Sequence, residues 1–224
     1  MGGRLKGKRV LLTQADDFMG PAFAGAFRAE GAELVEDRRD LTRPEAAREA
    51  LDAAGPIDVL VANLSAPADA DYAVKVSDER WEHLFNALVH PLHRLVRAAL
   101  PAMMQRRAGK ILVVGSATGL RAAPGTAPYS AARAAQVGYV RSVGTEAAPF
   151  NVQINLIAQH FVENPAYFPE SFQQTDAFKK LMRDVPAGRL ARPEEDAALA
   201  VFLASNEADF FCGQAIPFAG GWAQ

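Results

Sequence analysis

Ser116, Tyr129 and Arg133 are the residues whose types and spacing could do chemistry together. Ser116 follows the apolar run Ile111-Leu112-Val113-Val114-Gly115. Tyr129 comes thirteen residues later, past a loop holding Gly119, Pro124, Gly125 and Pro128, and Arg133 follows four residues after it. If Tyr129 opens a helix, residues i and i+4 share one face and the phenol and guanidinium are neighbours. A free phenol, with a pKa near ~10, is a poor base at neutral pH unless a fixed cation stabilises its phenolate. Arginine keeps its proton essentially always, so it can supply that charge without competing for the proton in transit. A serine hydroxyl beside the phenol can hold a substrate oxygen. Any one of the three alone is better read as packing or surface; the combination points to proton transfer at a hydroxyl.

The elements that must position these residues are legible as an alternation. Short apolar runs at Val10 to Thr13, Leu34 to Val35, Val59 to Asn63, Lys110 to Gly115 and Val152 to Ile157 are separated by longer Ala-rich stretches. Those stretches carry apolar residues three or four apart, as in Phe23 and Phe27 or Leu92, Leu95, Val96 and Leu100. Strand-helix-strand repetition of this kind predicts a Rossmann-like α/β domain, doubly wound, with a parallel sheet and helices on both faces. Ser116 then lies at the carboxyl edge of the sheet, where such folds bind ligands. Pro and acid at Thr42 to Glu45 and Arg192 to Glu195 predict helix starts. From Ala158 to Gln173 the periodicity fails, which predicts a long irregular loop after a strand, and Gly213-Gln214 leads into a brief closing strand.

A chain of 224 residues, with 50% hydrophobic and 22% charged residues, is the size and composition of one globular domain spanning 1–224. Lys and Arg number 24 against 26 Asp and Glu, with no basic run, so nucleic acid is a poor partner. The single cysteine, Cys212, forms no intrachain disulfide and no cysteine-based metal site, which suits a reducing compartment and predicts a cytoplasmic protein. The N-terminal apolar run is too short for a signal peptide or a membrane span. His83, His90 and His93 share one predicted long helix without the carboxylates or cysteines of a metal site, so they read as a solvated face.

Ser-x12-Tyr-x3 on a strand-loop-helix resembles the active site of short-chain dehydrogenase/reductases. The resemblance extends to Asp58-Val59-Leu60-Val61-Ala62-Asn63, Trp81 at the head of its helix, Asn151 to Asn155, and Gly213-Gln214 with Gly220-Gly221. Three departures stand out. Arg133 replaces the usual lysine. The dinucleotide pattern Thr-Gly-x-x-x-Gly-x-Gly reads Thr13-Gln14-Ala15-Asp16-Asp17-Phe18-Met19-Gly20, with two glycines lost. After Asn155, the Pro-Gly pair that lies against a nicotinamide is replaced within Ile157-Ala158-Gln159-His160-Phe161. Missing side chains let a backbone approach a pyrophosphate at a helix N-terminus, so Gln14 and Phe18 obstruct it, and Asp16 and Asp17 add repulsion. Asp37, the ribose-binding position of an NAD enzyme, then reads as a surface charge, and Leu88 replaces an active-site asparagine.

Thr-x4-Phe-x-Gly with Ser-x12-Tyr-x3-Arg is similar to halohydrin dehalogenases, and both patterns occur here in register. The resemblance implies a cofactor-independent lyase, with no nicotinamide and no metal, in which Ser116 and Tyr129 bind the hydroxyl of a vicinal haloalcohol. Tyr129, assisted by Arg133, removes its proton; the alkoxide closes an epoxide and expels halide. It also implies a halide and substrate pocket made of Phe18, Ala158, Gln159, His160, Phe161 and Tyr167, with backbone N–H groups and aromatic edges facing the anion. In reverse, the epoxide is opened by azide, cyanide or nitrite. The partners implied are a small haloalcohol or epoxide, a halide or other small anion, and three further copies in a homotetramer, where Trp222 caps a pocket or lies in the core. Two other readings stay open: a divergent NAD(P)-dependent oxidoreductase, and a binding protein without catalysis on the same scaffold.

Overall fold

The computed structural model describes residues 3–67, 72–121, 123–165 and 167–224. Six parallel strands form one sheet in the order β2-β1-β3-β4-β5-β6, with β1 Arg9–Leu12, β2 Glu33–Glu36, β3 Val59–Asn63, β4 Gly109–Val114, β5 Val152–Gln159 and β6 Ala215–Phe218. The chain order reverses at β1, so β1 and β3 leave a crevice between their carboxyl ends, the position at which open α/β sheets take ligands.

Helices α1 (Gly20–Ala29) and α8 (Pro193–Ala204) cover one face of the sheet. The opposite face carries α2 (Ala46–Ala54), α3 (Asp78–Leu88), α4 (His90–Arg106) and α5 (Ala127–Ala147). The inner strands are mostly apolar because both of their faces are buried, whereas the edge strand β2, Glu33-Leu34-Val35-Glu36, is only partly covered. Leu11, Leu60, Ala62, Ile111 and Val113 point into the α2–α5 layer, while Val10, Leu12, Val59, Val61, Leu112 and Val114 point into the α1–α8 layer. A one-residue slip would exchange the two sets, so the register is firmly specified. A third, smaller apolar cluster joins Phe161, Met182, Val185, Leu190 and Trp222 around α6 (Glu170–Gln173) and α7 (Asp176–Arg183).

Four expectations need correction. β5 runs on through Ala158 and Gln159, and α6 forms inside the segment read as an irregular loop; the polar Gln159 disguises a strand end that pairs with Phe218. The single long helix carrying His83, His90 and His93 is two helices, broken at Val89 next to Pro91, and all three histidines are exposed. Asp37 is buried and paired with Arg39 rather than lying free at the surface. The run from Thr42 to Glu45 precedes its helix, with Glu45 at the N-cap of α2, whereas Pro193 and the acids after it do occupy the first turn of α8. Among the described residues no helix is long and apolar enough to cross a membrane, and no group of His, Cys, Asp or Glu could hold a metal ion.

Candidate active site

Ser116, immediately after β4, and Tyr129, in the first turn of α5, line one cavity of about 180 Å³ at the carboxyl edge of the sheet. Pro128 occupies the start of α5, where its missing N–H costs nothing, and sets the phenol at the helix entrance. Gly119, between the two, presses against the Arg133 backbone; a Cβ there would sit 2.8 Å from the Arg133 carbonyl carbon, so only glycine lets this loop close on α5. The Thr118 N–H donates to Ser116 Oγ at 3.3 Å and the two hydroxyls lie 2.9 Å apart, which leaves the serine hydrogen available to the Thr118 oxygen or to a ligand.

Arg133 does not line the cavity. It is fully buried behind Tyr129, with its guanidinium carbon 5.0 Å from the Tyr129 ring centre and 5.9 Å from that of Phe18. Nη1 donates to the Val114 carbonyl and Gln136 Oε1, Nη2 donates to the Leu64 carbonyl, and Nε has no partner. Every acceptor is neutral. Arg133 thus places a buried positive charge beside the phenol.

The cavity wall is largely apolar, from Phe18, Met19, Phe161, Val162, Tyr167 and Phe168, with Thr126, Gln159, His160 and Asn164 adding polar atoms. Five of the six residues expected to bind halide or substrate, namely Phe18, Gln159, His160, Phe161 and Tyr167, line this cavity together with Ser116 and Tyr129. The sixth, Ala158, does not: it is buried in β5, paired with Pro217. The His160 N–H is likewise consumed by the Phe218 carbonyl and is not free for an anion. Burial pushes the His160 ring down to about 4, so at neutral pH it is an uncharged wall residue, packed between Phe161 and Trp222. Trp222 is buried behind the cavity wall, packed on His160 and Phe161 in this chain's own third cluster, where Arg121 lies over its ring and donates to its carbonyl. The aromatic loop from Asn164 to Pro169 closes the cavity: Asn164 donates to the Phe18 carbonyl at 3.2 Å, Tyr167 donates to the Ala66 carbonyl at 3.2 Å, and the Tyr167 ring meets Phe18 edge-on. Ala166 of that loop lies outside the described residues.

Gln14 and Phe18 have φ of 45° and 55°, a left-handed backbone that favours glycine. They stand at the two positions where the dinucleotide pattern has its first two glycines, so the loop keeps the glycine-type path while carrying side chains. Gly20 is retained for another reason: a Cβ there would lie 2.3 Å from the Ala15 carbonyl oxygen. Gln14 Oε1 accepts from the Ser65 N–H at 2.8 Å, so its side chain bridges the ends of β1 and β3 across the crevice. Asn63 fixes the loop by donating to the Gln14 and Asp17 carbonyls, both at 3.0 Å. A nicotinamide dinucleotide does not fit these residues: the Gln14 amide bridges the crevice its pyrophosphate would cross, and the Phe18 side chain lines the same cavity as Tyr129. Asp16 is exposed and paired with Arg38.

The residues that sequence reading missed are Met19, Thr118, Thr126 and Gln136. Gln136 carried a signal, a polar residue three positions after Arg133 on the buried face of a helix; the others had none beyond proximity to the motifs.

A family model described as enoyl-(acyl carrier protein) reductase matches residues 6–223. The 3-oxoacyl-[acyl-carrier-protein] reductase of Vibrio harveyi is 32% identical over 217 residues, covering 96% of this chain and 87% of the relative. A solved structure described as a dehalogenation enzyme superposes with a TM-score of 0.88 at 30% identity, covering 98% of this chain and 99% of that one. The gluconate 5-dehydrogenase of Burkholderia cenocepacia J2315, solved with NADP and tartrate, superposes with a TM-score of 0.89 at 24% identity, over 98% and 96% of the two chains, and shares the fold. With its single parallel sheet, its Ser-Tyr pair at the sheet edge and a family match along nearly its whole length, the chain belongs to the short-chain dehydrogenase/reductase superfamily.

Proposed function

We propose that this protein converts vicinal haloalcohols to epoxides without a cofactor, releasing halide and a proton, and that it opens epoxides with small anions in the reverse direction. The observation that carries this reading is the first loop: Gln14 and Phe18 hold a glycine-type backbone, yet the Gln14 side chain bridges the crevice and the Phe18 side chain lines the cavity. The likeness to a dehalogenation enzyme at 30% identity supports it. Ser116 Oγ and the Tyr129 hydroxyl hold the substrate oxygen. Tyr129, as phenolate beside Arg133, takes the hydroxyl proton; the alkoxide oxygen attacks the adjacent carbon, and the carbon–halogen bond breaks with its electron pair leaving on the halide. The alkoxide and the carbon it attacks belong to one molecule, so the cavity has only to hold that molecule with the oxygen opposite the halogen. The departing anion meets the positive edges of Phe18 and Tyr167 in a largely apolar wall, which suits a large, weakly hydrated ion.

A second reading, a nicotinamide-dependent carbonyl reductase, is favoured by the acyl-carrier-protein reductases among the sequence relatives. The two separate in one experiment. Incubated with a small epoxide and azide in the absence of nicotinamide, the protein should form the azido alcohol, and titration with NADPH should give no saturable quenching of Trp81 and Trp222 fluorescence. Saturable quenching with oxidation of NADPH by a 3-oxoacyl thioester, and no azido alcohol, would favour the reductase.

Phe18→Gly tests the anion pocket. Glycine relieves a left-handed backbone worth about 1 kcal/mol, which offsets part of the lost ring packing, so the variant should stay folded. Inhibition by bromide should weaken about fivefold, the loss of an aromatic contact of about 1 kcal/mol. Unchanged bromide inhibition would remove Phe18 from the pocket.

A further inference from the structure

Gln136 is a fully buried polar residue on α5, one turn beyond Arg133, and it faces the same way. Its Oε1 accepts from Arg133 Nη1 at 3.0 Å, and its Nε2 donates to the carbonyl of Leu88 at 2.8 Å, at the break between α3 and α4. The two neighbours dictate the orientation of the amide, because a guanidinium only donates and a carbonyl only accepts. A glutamate has the same reach toward the guanidinium and would make a far stronger, charge-assisted bond to it. It would also cancel the charge.

Among the described residues no carboxylate pairs with Arg133; its acceptors are the Val114 and Leu64 carbonyls and this amide. The acids of the first loop do not compensate it either, since Asp16 is paired with Arg38 and Asp17 is exposed. The other titratable groups on the cavity are His160 and Tyr167: the ring of His160 is uncharged at neutral pH, and the hydroxyl of Tyr167 is engaged with the Ala66 carbonyl.

We infer that Gln136 is a positioning residue that anchors the Arg133 guanidinium without neutralising it, so that the buried charge stays directed at the Tyr129 ring. The inference deepens the dehalogenase reading and rests on it for the role of Tyr129. It assigns the helix break at Leu88 a part in the site, since the freed carbonyl there holds the other end of the amide.

The charge argument predicts that stability and activity move in opposite directions. Gln136→Glu gains a charge-assisted bond to Arg133 but sets a carboxylate oxygen against the Leu88 carbonyl, so its melting temperature should stay nearer the parent's than that of Gln136→Met, yet kcat for halide release should fall at least fiftyfold with KM changed less than threefold. Gln136→Met loses two hydrogen bonds and should melt earlier, yet keep kcat within about fivefold of the parent. A merely structural role would make the methionine variant the worse enzyme. Ionisation of Tyr129 is read directly from the 295 nm absorbance, as the difference between each protein and the same protein carrying Tyr129→Phe. The phenolate band should rise at markedly higher pH in Gln136→Glu, where the charge is cancelled, and at only slightly higher pH in Gln136→Met, where the guanidinium loses one anchor but keeps its charge. Coincident titrations in parent and Gln136→Glu would overturn the inference, as would a displacement in Gln136→Met equal to that in Gln136→Glu. Because this readout needs no substrate, it stands whether or not the parent releases halide.

Discussion

Arg133→Met is expected to lower kcat for halide release by about two orders of magnitude while leaving the fold intact. The guanidinium carbon lies 5.0 Å from the centre of the Tyr129 ring, so its positive charge favours the phenolate in the proton-transfer step, and a loss of two powers of ten in rate corresponds to about 3 kcal/mol of transition-state stabilisation. Methionine fills much of the same volume without a charge, and losing a buried cation that has no anionic partner removes a desolvation penalty along with three hydrogen bonds. Arg133→Lys should fall between: it keeps the charge, but a single ammonium cannot span the Val114 carbonyl, the Leu64 carbonyl and Gln136 as the planar fork does. The check is kcat at mildly alkaline pH, with circular dichroism to confirm folding. A methionine variant with full activity would remove the charge from the account.

The second large effect is on stability. Asp196, in the first turn of α8, is fully buried with neither carboxyl oxygen hydrogen-bonded, and burial pushes it up to about 7. The helix N-terminus favours its anion by at most about 2 kcal/mol, less than the cost of burying an unpaired charge, so burial wins. The folded state thus keeps this proton up to about pH 7, while the unfolded chain loses it near 3.8. Its contribution is complete below about pH 4 and is lost as pH rises to about 7, by about 4 kcal/mol in all.

His160 has the opposite sign. Its ring resists protonation until about pH 4 when folded but accepts a proton near 6.5 when unfolded, so its contribution is complete above 6.5 and is lost as pH falls to about 4, by about 3 kcal/mol. The two largely cancel between pH 4 and 6.5, and the parent should show a nearly flat stability across that range. Asp196→Asn should uncover a rise of about 3 kcal/mol from pH 4 to 6.5, and His160→Gln a fall of about 4 kcal/mol from pH 4 to 7. Urea denaturation at four pH values measures both. An Asp196→Asn curve parallel to the parent's would show that the carboxyl is not held neutral by burial.

The fold was legible because burial on both faces writes the inner strands as mostly apolar runs, and Ser116 and Tyr129 follow from where those runs end. Legibility stopped where tertiary contacts reassign a residue whose type is locally neutral. Gln159 reads as a loop residue but pairs with Phe218 in β5, and Ala158, expected in the pocket, is turned into the sheet. Asp196 reads as an ordinary acid in a first helical turn, and only packing shows that neither of its carboxyl oxygens has a partner. The loss of two glycines was visible in the sequence. That the backbone at Gln14 and Phe18 keeps a left-handed path, and that the Gln14 amide reaches Ser65 across the crevice, was not.

The central claim, dehalogenation without a cofactor by Tyr129, is tested most directly by following halide release from a small vicinal bromoalcohol at mildly alkaline pH with no nicotinamide present. Stoichiometric bromide and epoxide from the parent, with release abolished in a folded Tyr129→Phe variant, is the predicted result. A folded parent that releases no bromide from several such alcohols, or a Tyr129→Phe variant as active as the parent, would contradict it.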